Sequence, residues 1–241
     1  FLIELLSSVE GISDFNKLPI PFFCIATDVE NGNAVLLEKG SLPLALRASG
    51  SFPTLLNPVV IDDKLLVDGG IANNFPISVM KSKGMDVVIG VDVEGSLYEK
   101  DKLNSVVDIL NQIVSYQMYR TTDKEKEILD VYIHPVITDF NVVSFDDKEK
   151  ILEKGIEEGK KFSKVFTELA EKQVHKKDRK KLSFDHAKFS ITDISLAGSN
   201  LYTRAFVLGK IKIKTGDSLT RREITKRIHL LSSTKNYERI S

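Results

Sequence analysis

The run DVVIGVDV, residues 86–93, does most to limit what this chain can fold into. Its interior is apolar without alternation and its ends are acidic, the pattern of a strand covered on both faces. Residues 103–120 follow with helical periodicity (Leu103, Val106, Val107, Leu110, Ile113, Val114, Gln117), and DVYIHPVI, 130–137, is another short apolar run, closed by Pro135. Upstream, IPFFCIAT at 20–27 reads as a buried strand, and Asn31-Gly32 between apolar runs signals a two-residue hairpin. A short helix is predicted at 41–49, strands at 58–61 and 64–67 around an Asp62-Asp63 turn, and a helix between Pro76 and Gly84. Residues 146–174 form one long amphipathic helix by pattern, with Ile151, Leu152, Ile156, Phe162, Val165, Phe166 and Leu169 on its apolar side. Strands alternating with helices indicate an α/β fold with a mostly parallel sheet and flanking helices.

Beyond HKKDRKK at 175–181 the texture changes. Residues 1–171 hold 17 Lys and Arg against 28 Asp and Glu, and residues 172–241 hold 17 against 6, so charges of −11 and +11 cancel to zero. That split predicts two units: 1–174, a basic linker at 175–182, and 183–241. The basic part suits an anionic lipid or nucleic-acid surface, and equally an acidic neighbour in the same chain. KFSITDISLAG alternates like a half-buried strand, LYTRAFVLGKI reads as a helix, and Gly216-Asp217 as a turn. Thr220 with Glu223 reads as the capping box of an amphipathic helix, and NYERIS as a further strand. No apolar run approaches the roughly 18 residues a spanning helix needs. The chain opens FLIELLSSVEG, without an initiator Met, and is expected to be an internal piece of a longer protein.

The chemistry concentrates in KLLVDGGIANNFP, 64–76, where an apolar strand delivers Asp68 into Gly69 and Gly70. Two glycines there permit positive φ after the strand and let another backbone or a substrate come close to the carboxylate. An acid at the C-terminal end of an α/β strand sits where such folds place their ligand crevice. An Asp-Gly-Gly turn alone would also account for the residues.

The ordered set ATD (26–28), ALRASGSFP (45–53), LVDGGIANNFP (66–76) and GMDVVIGVDV (84–93), continued by DVYIHPVI and EKGIEEGKKF, resembles the second half of a patatin-like phospholipase domain over roughly residues 1–170. The resemblance implies a Ser–Asp dyad hydrolysing lipid esters, with Asp68 as base and no cofactor or metal. The family's nucleophile lies in a G-x-S-x-G elbow. Among the 14 glycines only Gly155 and Gly159 stand four apart, and Glu157 lies between them. Ser49 and Ser51 lack the flanking glycines and are assigned to packing and to shaping the pocket. The nucleophilic serine and the glycine-rich oxyanion loop are therefore absent, and the chain is expected to begin after the elbow and to be inactive alone. With half a sheet, it is expected to expose apolar edge and face and to associate readily. A divergent scaffold without activity is the other reading.

ITDISLAGSNLYTRAFVLGKIKIKTGDSLTRREITKRIHLLSSTKNYERIS resembles a POTRA domain. Together the two resemblances imply a bacterial envelope protein of the periplasm or outer membrane, with lipid or phospholipid as substrate. The implied partners are a membrane surface and a barrel or envelope protein reached through the POTRA-like part. KKDRKK is short and lacks interleaved aromatics, so nucleic acid is not expected. His134, His175, His186 and His229 are scattered and read as structural or surface residues, Tyr116 and Tyr119 as a packing pair, and Cys24, in PFFCIA, as a buried inert thiol.

Overall fold

A computed structural model of the chain describes residues 2–9, 11–140, 144–173, 188–196 and 202–232. In chain order the elements are α1 (Leu2–Leu5), β1 (Cys24–Asp28), β2 (Ala34–Leu37), α2 (Leu42–Ser49), β3 (Val59–Ile61), β4 (Lys64–Asp68), α3 (Gly70–Asn73), α4 (Ile77–Ser82) and β5 (Ile89–Val91). They continue as α5 (Val106–Lys126), β6 (Val131–Ile133), α6 (Lys148–Lys161), α7 (Ser163–Lys172), β7 (Lys188–Ser190), α8 (Arg204–Ile211), β8 (Ser218–Thr220) and α9 (Arg221–Ser232). The chain divides into two compact units, one of Phe22–Gly40 and Leu44–Arg179, the other of Phe1–Pro21, Ser41–Pro43 and Lys180–Ser241.

In the first unit, β2-β1-β4-β3 form a four-stranded sheet, antiparallel at every step, and β5 pairs with β6 in parallel. The fold is mixed α/β, but the expected mostly parallel sheet is not what the described strands build. The reason lies in the connections. β1–β2 and β3–β4 are joined by short turns, which can only reverse direction, whereas β5 and β6 are separated by the 21-residue α5. The β3–β4 turn is the expected one, with Asp62 and Asp63 both at positive φ. The β1–β2 loop is longer than a two-residue hairpin. Asp28 N–H reaches Asn33 O at 3.0 Å and Gly32 N–H reaches Asp28 O at 2.8 Å, with Gly32 at φ 73°. Asn31-Gly32 thus marks the reversal without setting its length.

The strand β5 corrects the expectation of two covered faces. Val88, Gly90 and Asp92 point inward and are buried, Val88 with Phe75 and Ile77 in one apolar cluster. Val87, Ile89, Val91 and Val93 alternate with them and are 43–64% exposed. An uninterrupted apolar run hides this period of two, because both faces carry the same residue type. α5 begins at a capping box, Ser105 with Asp108, and runs to Lys126. The single helix expected over 146–174 is two: Phe162, at φ −94° and ψ 6°, interrupts it, and the Ser163 hydroxyl donates to the Lys160 carbonyl at 2.7 Å.

In the second unit, β7 and β8 pair antiparallel, and Val207, Ile211, Ile213 and Leu219 form a core with Ile194 and Ile224 packed on it. Thr203 caps α8, and Lys212 ends it in the left-handed region. The Gly216-Asp217 turn is present, Gly216 at φ 93°. Thr220 and Glu223 exchange hydrogen bonds at 2.8 and 3.3 Å, the expected capping box. The strand expected from 188 onward is shorter than its pattern, ending at Ser190. The basic linker at 175–182, His175, His186, the side chain of His229 and the strand at NYERIS lie outside the described residues. Among the described residues no helix is long and apolar enough to cross a membrane.

Candidate active site

Asp68 ends β4, a strand flanked by β1 and β3, with Ala26 opposite it. Leu66 and Val67 are buried and anchor that end of the strand. The backbone at Asp68 is tied from three sides. Asp68 N–H donates to Ser51 O at 3.0 Å, and Gly69 N–H to Ser49 O at 3.2 Å. The Thr27 hydroxyl donates to Asp68 O at 2.7 Å and accepts Ala72 N–H at 3.1 Å, joining the strand end to α3.

The two glycines serve close approach and not positive φ. Gly69 has φ −69° and ψ −22°, open to any residue, and Gly70 begins α3. A Cβ on Gly69 would instead fall inside the van der Waals shell of the Ile25 carbonyl. A Cβ on Gly70 would lie 2.5 Å from Asn74 Oδ1, 2.9 Å from Met118 Cε and 3.1 Å from Asp68 Oδ1.

The Asp68 carboxylate accepts Gly70 N–H through Oδ1 at 2.8 Å, and no described residue hydrogen-bonds Oδ2. Burial pushes its carboxyl above the ordinary carboxylate range, and the Gly70 N–H opposes that in part. A partly buried carboxylate with one open oxygen and a raised pKa is equipped to accept a proton from a neighbouring hydroxyl.

Neither nearby serine is that hydroxyl. Ser51 is fully buried; its hydroxyl donates to Arg47 O at 2.6 Å and accepts from the Arg47 guanidinium. The Ser49 hydroxyl is hydrogen-bonded with the Cys24 thiol, whose pKa is pushed up to about 11, chiefly by burial. Both serines also lend their carbonyls to the Asp-Gly-Gly backbone, so they shape the site as expected. Of the two tyrosines expected to pack as a pair, Tyr119 donates its hydroxyl to the Gly95 carbonyl and Tyr116 is 48% exposed. A cleft of about 740 Å³ opens beside α5, lined in part by Phe52, Tyr98, Lys102, Asn111, Ser115 and Phe140. Asp68 does not line it, but Phe52 directly follows Ser51.

A second polar group, invisible to motif reading, lies at the C-terminal end of β5. Asp92 is buried and accepts from the Tyr132 hydroxyl at 2.6 Å, Glu94 N–H at 3.0 Å and the Lys126 ammonium at 2.9 Å. The His134 ring lies parallel to Tyr132, 6.0 Å away, with Nδ1 3.1 Å from Asp92 O. Glu94 Oε1 accepts from Asn74 Nδ2 at 2.6 Å and Thr122 Oγ1 at 2.8 Å, while Oε2 is buried without a partner among the described residues. The one sequence signal was the pair of acids, two apart, where the apolar run ends.

Asp92 bears on acid stability. Burial alone would raise its carboxyl, but the Tyr132, Glu94 N–H and Lys126 hydrogen bonds outweigh it and hold the pKa below the ordinary range. A depressed folded pKa gives stability that is present above the unfolded value and lost as pH falls through the folded one. Asp92→Asn is therefore expected to lower Tm near neutrality and to flatten its fall below about pH 5, as pH drops through the ordinary carboxylate range toward the lower folded value. Equal slopes for parent and variant in thermal melts would remove Asp92 from the acid response.

Asp68 and its glycines lie within the part of the chain that matches a known family. Residues 11–81 match the patatin-like phospholipase family. Similar curated proteins include two uncharacterised NTE family proteins of Mycobacterium tuberculosis. One is 33% identical over 95 residues, 39% of this chain and 26% of that protein; the other is 42% identical over 90 residues, 37% of this chain and 15% of that protein. Lysophospholipase NTE1 of Candida albicans is 33% identical over 96 residues, 40% of this chain and 7% of that protein. The chain thus spans about a quarter or less of the length of these relatives. The patatin-like match ends before Asp92, so the β5 group stands outside it.

Proposed function

We propose that this chain is the base-bearing part of a patatin-like lipid acyl hydrolase, with Asp68 as the base of a Ser–Asp dyad. The observation that carries the reading is the half-buried Asp68 carboxylate, with one oxygen tied to Gly70 N–H, the other open and the pKa raised, inside a patatin-like stretch. The serine comes from polypeptide outside these 241 residues. Its hydroxyl gives its proton to Asp68 as Oγ attacks the ester carbonyl. The ester C–O bond then breaks, and the leaving alcohol takes that proton back. Water, deprotonated in turn by Asp68, attacks the acyl-serine; the acyl–Oγ bond breaks, Asp68 returns the proton to serine Oγ, and the fatty acid is freed. Substrates are lipid or phospholipid acyl esters, with lysophospholipids first on the strength of the lysophospholipase relatives.

Domain limits of 1–174 and 183–241 go with this reading, the latter as a POTRA-like module. The alternation β7-α8-β8-α9 and the basic excess of that region support it. A location at a bacterial envelope goes with that module in this reading, and the basic excess there would suit an anionic membrane surface. The test is hydrolysis of lysophospholipid micelles by a longer protein containing this chain and its preceding polypeptide. Free fatty acid should appear and stop after treatment with a serine-directed fluorophosphonate, while the 241-residue chain alone releases none. No release by the longer protein, or release by the isolated chain, overturns the reading.

A further inference from the structure

Gly70 has both Asp68 and Asn74 beside it. The Asn74 carboxamide oxygen and Asp68 Oδ1 flank the same bare Cα, since a Cβ on Gly70 would lie within 2.5 and 3.1 Å of them. The other end of that carboxamide, Asn74 Nδ2, donates to Glu94 Oε1 at 2.6 Å. The same oxygen receives the hydroxyl of Thr122, a fully buried residue of α5. Glu94 Oε1 is the acceptor in both bonds, so it holds the amide by its NH₂ and leaves the amide oxygen to face the other way. Asn74 therefore turns its oxygen, not its donors, toward Gly70, beside which Asp68 Oδ1 also lies.

We infer that Glu94 is a positioning residue for Asp68: by fixing the orientation of the Asn74 carboxamide, it keeps that amide's donors off Asp68 Oδ1, the carboxylate oxygen on the Gly70 side. The inference rests on the reading of Asp68 as base. Without Glu94 the carboxamide is free to turn over. Its NH₂ then faces the side of Gly70 where Asp68 Oδ1 lies, which favours the ionised carboxylate and weakens it as a base. Glu94 lies beyond the patatin-like match, 26 positions after Asp68, and reaches the site only through the fold.

The experiment compares Asp68→Asn, Glu94→Ala and Glu94→Gln in protein that contains the nucleophile. Glutamine keeps an acceptor oxygen for Asn74 and Thr122; alanine keeps none. Glu94→Ala is expected to lower kcat by about tenfold or more with KM within about threefold, because misplacement near the reacting groups acts on the chemical step. Glu94→Gln is expected to keep kcat within about threefold of the parent, which a purely charge-based role would not allow. If Glu94→Ala does not fold, Glu94→Leu, of similar bulk and without an acceptor, takes its place. An alanine or leucine variant with parental kcat, or a glutamine variant as slow as alanine, overturns the inference. Loss of hydrolysis in Asp68→Asn alone leaves Asp68 as base and removes Glu94; retained hydrolysis in Asp68→Asn removes both.

Discussion

Asp68→Asn is expected to lower ester hydrolysis by roughly 10⁴-fold or more in the protein that contains the nucleophile, the scale on which loss of a hydroxyl-activating group acts. Asparagine keeps the shape of the side chain and an oxygen for Gly70 N–H, whose hydrogen bond to Asp68 is 2.8 Å long. The strand end and α3 should stay in place, and only the basic oxygen goes. Stability should not fall, because the substitution removes a charge that burial disfavours. The parent's pH profile carries the same assignment. The base works ionised and burial raises its pKa, so activity should be lost as pH falls through a value above the ordinary carboxylate range. Initial rates and melting curves on both proteins decide this; substantial activity in Asp68→Asn would end the dyad reading.

Gly69→Ala is the largest structural effect expected. The new methyl group would overlap the Ile25 carbonyl, which belongs to a strand hydrogen-bonded on one side to β2 and on the other to β4. A backbone carbonyl held from both sides cannot step aside as a side-chain tip can, so we expect a loss of about 3 kcal/mol or more in denaturant unfolding. Gly70→Ala meets mainly the ends of Asn74 and Met118. It should cost less stability while disturbing the carboxylate's surroundings. Equal and small losses for the two alanine variants would contradict the close approach at Gly69.

Much of this arrangement could be read before any coordinates. β1 and β4 are short apolar runs bounded by turn residues, and Asp68 before two glycines is conspicuous at any level of description. What escaped has physical reasons. Spacing alone cannot tell a glycine needed for positive φ from one needed for contact, and at Gly69 and Gly70 the second holds. In the β5 run every residue is apolar, so its exposed and buried faces look alike in sequence. Phe162 splits α6 from α7 without a proline at the break. Asp92 meets Lys126 and Tyr132, and Glu94 meets Thr122, across 28 to 40 positions of chain, by pairings that neither motif nor periodicity encodes.

The protonated state of Cys24 has a practical side. It is the sole sulfhydryl of the chain, and near neutral pH almost none of it is thiolate, the form that alkylating and maleimide reagents attack. The 241-residue chain is accordingly a quiet background for site-directed labelling. A probe attached through one cysteine introduced on the outward side of α5, or beside Asn74, would report from that position alone.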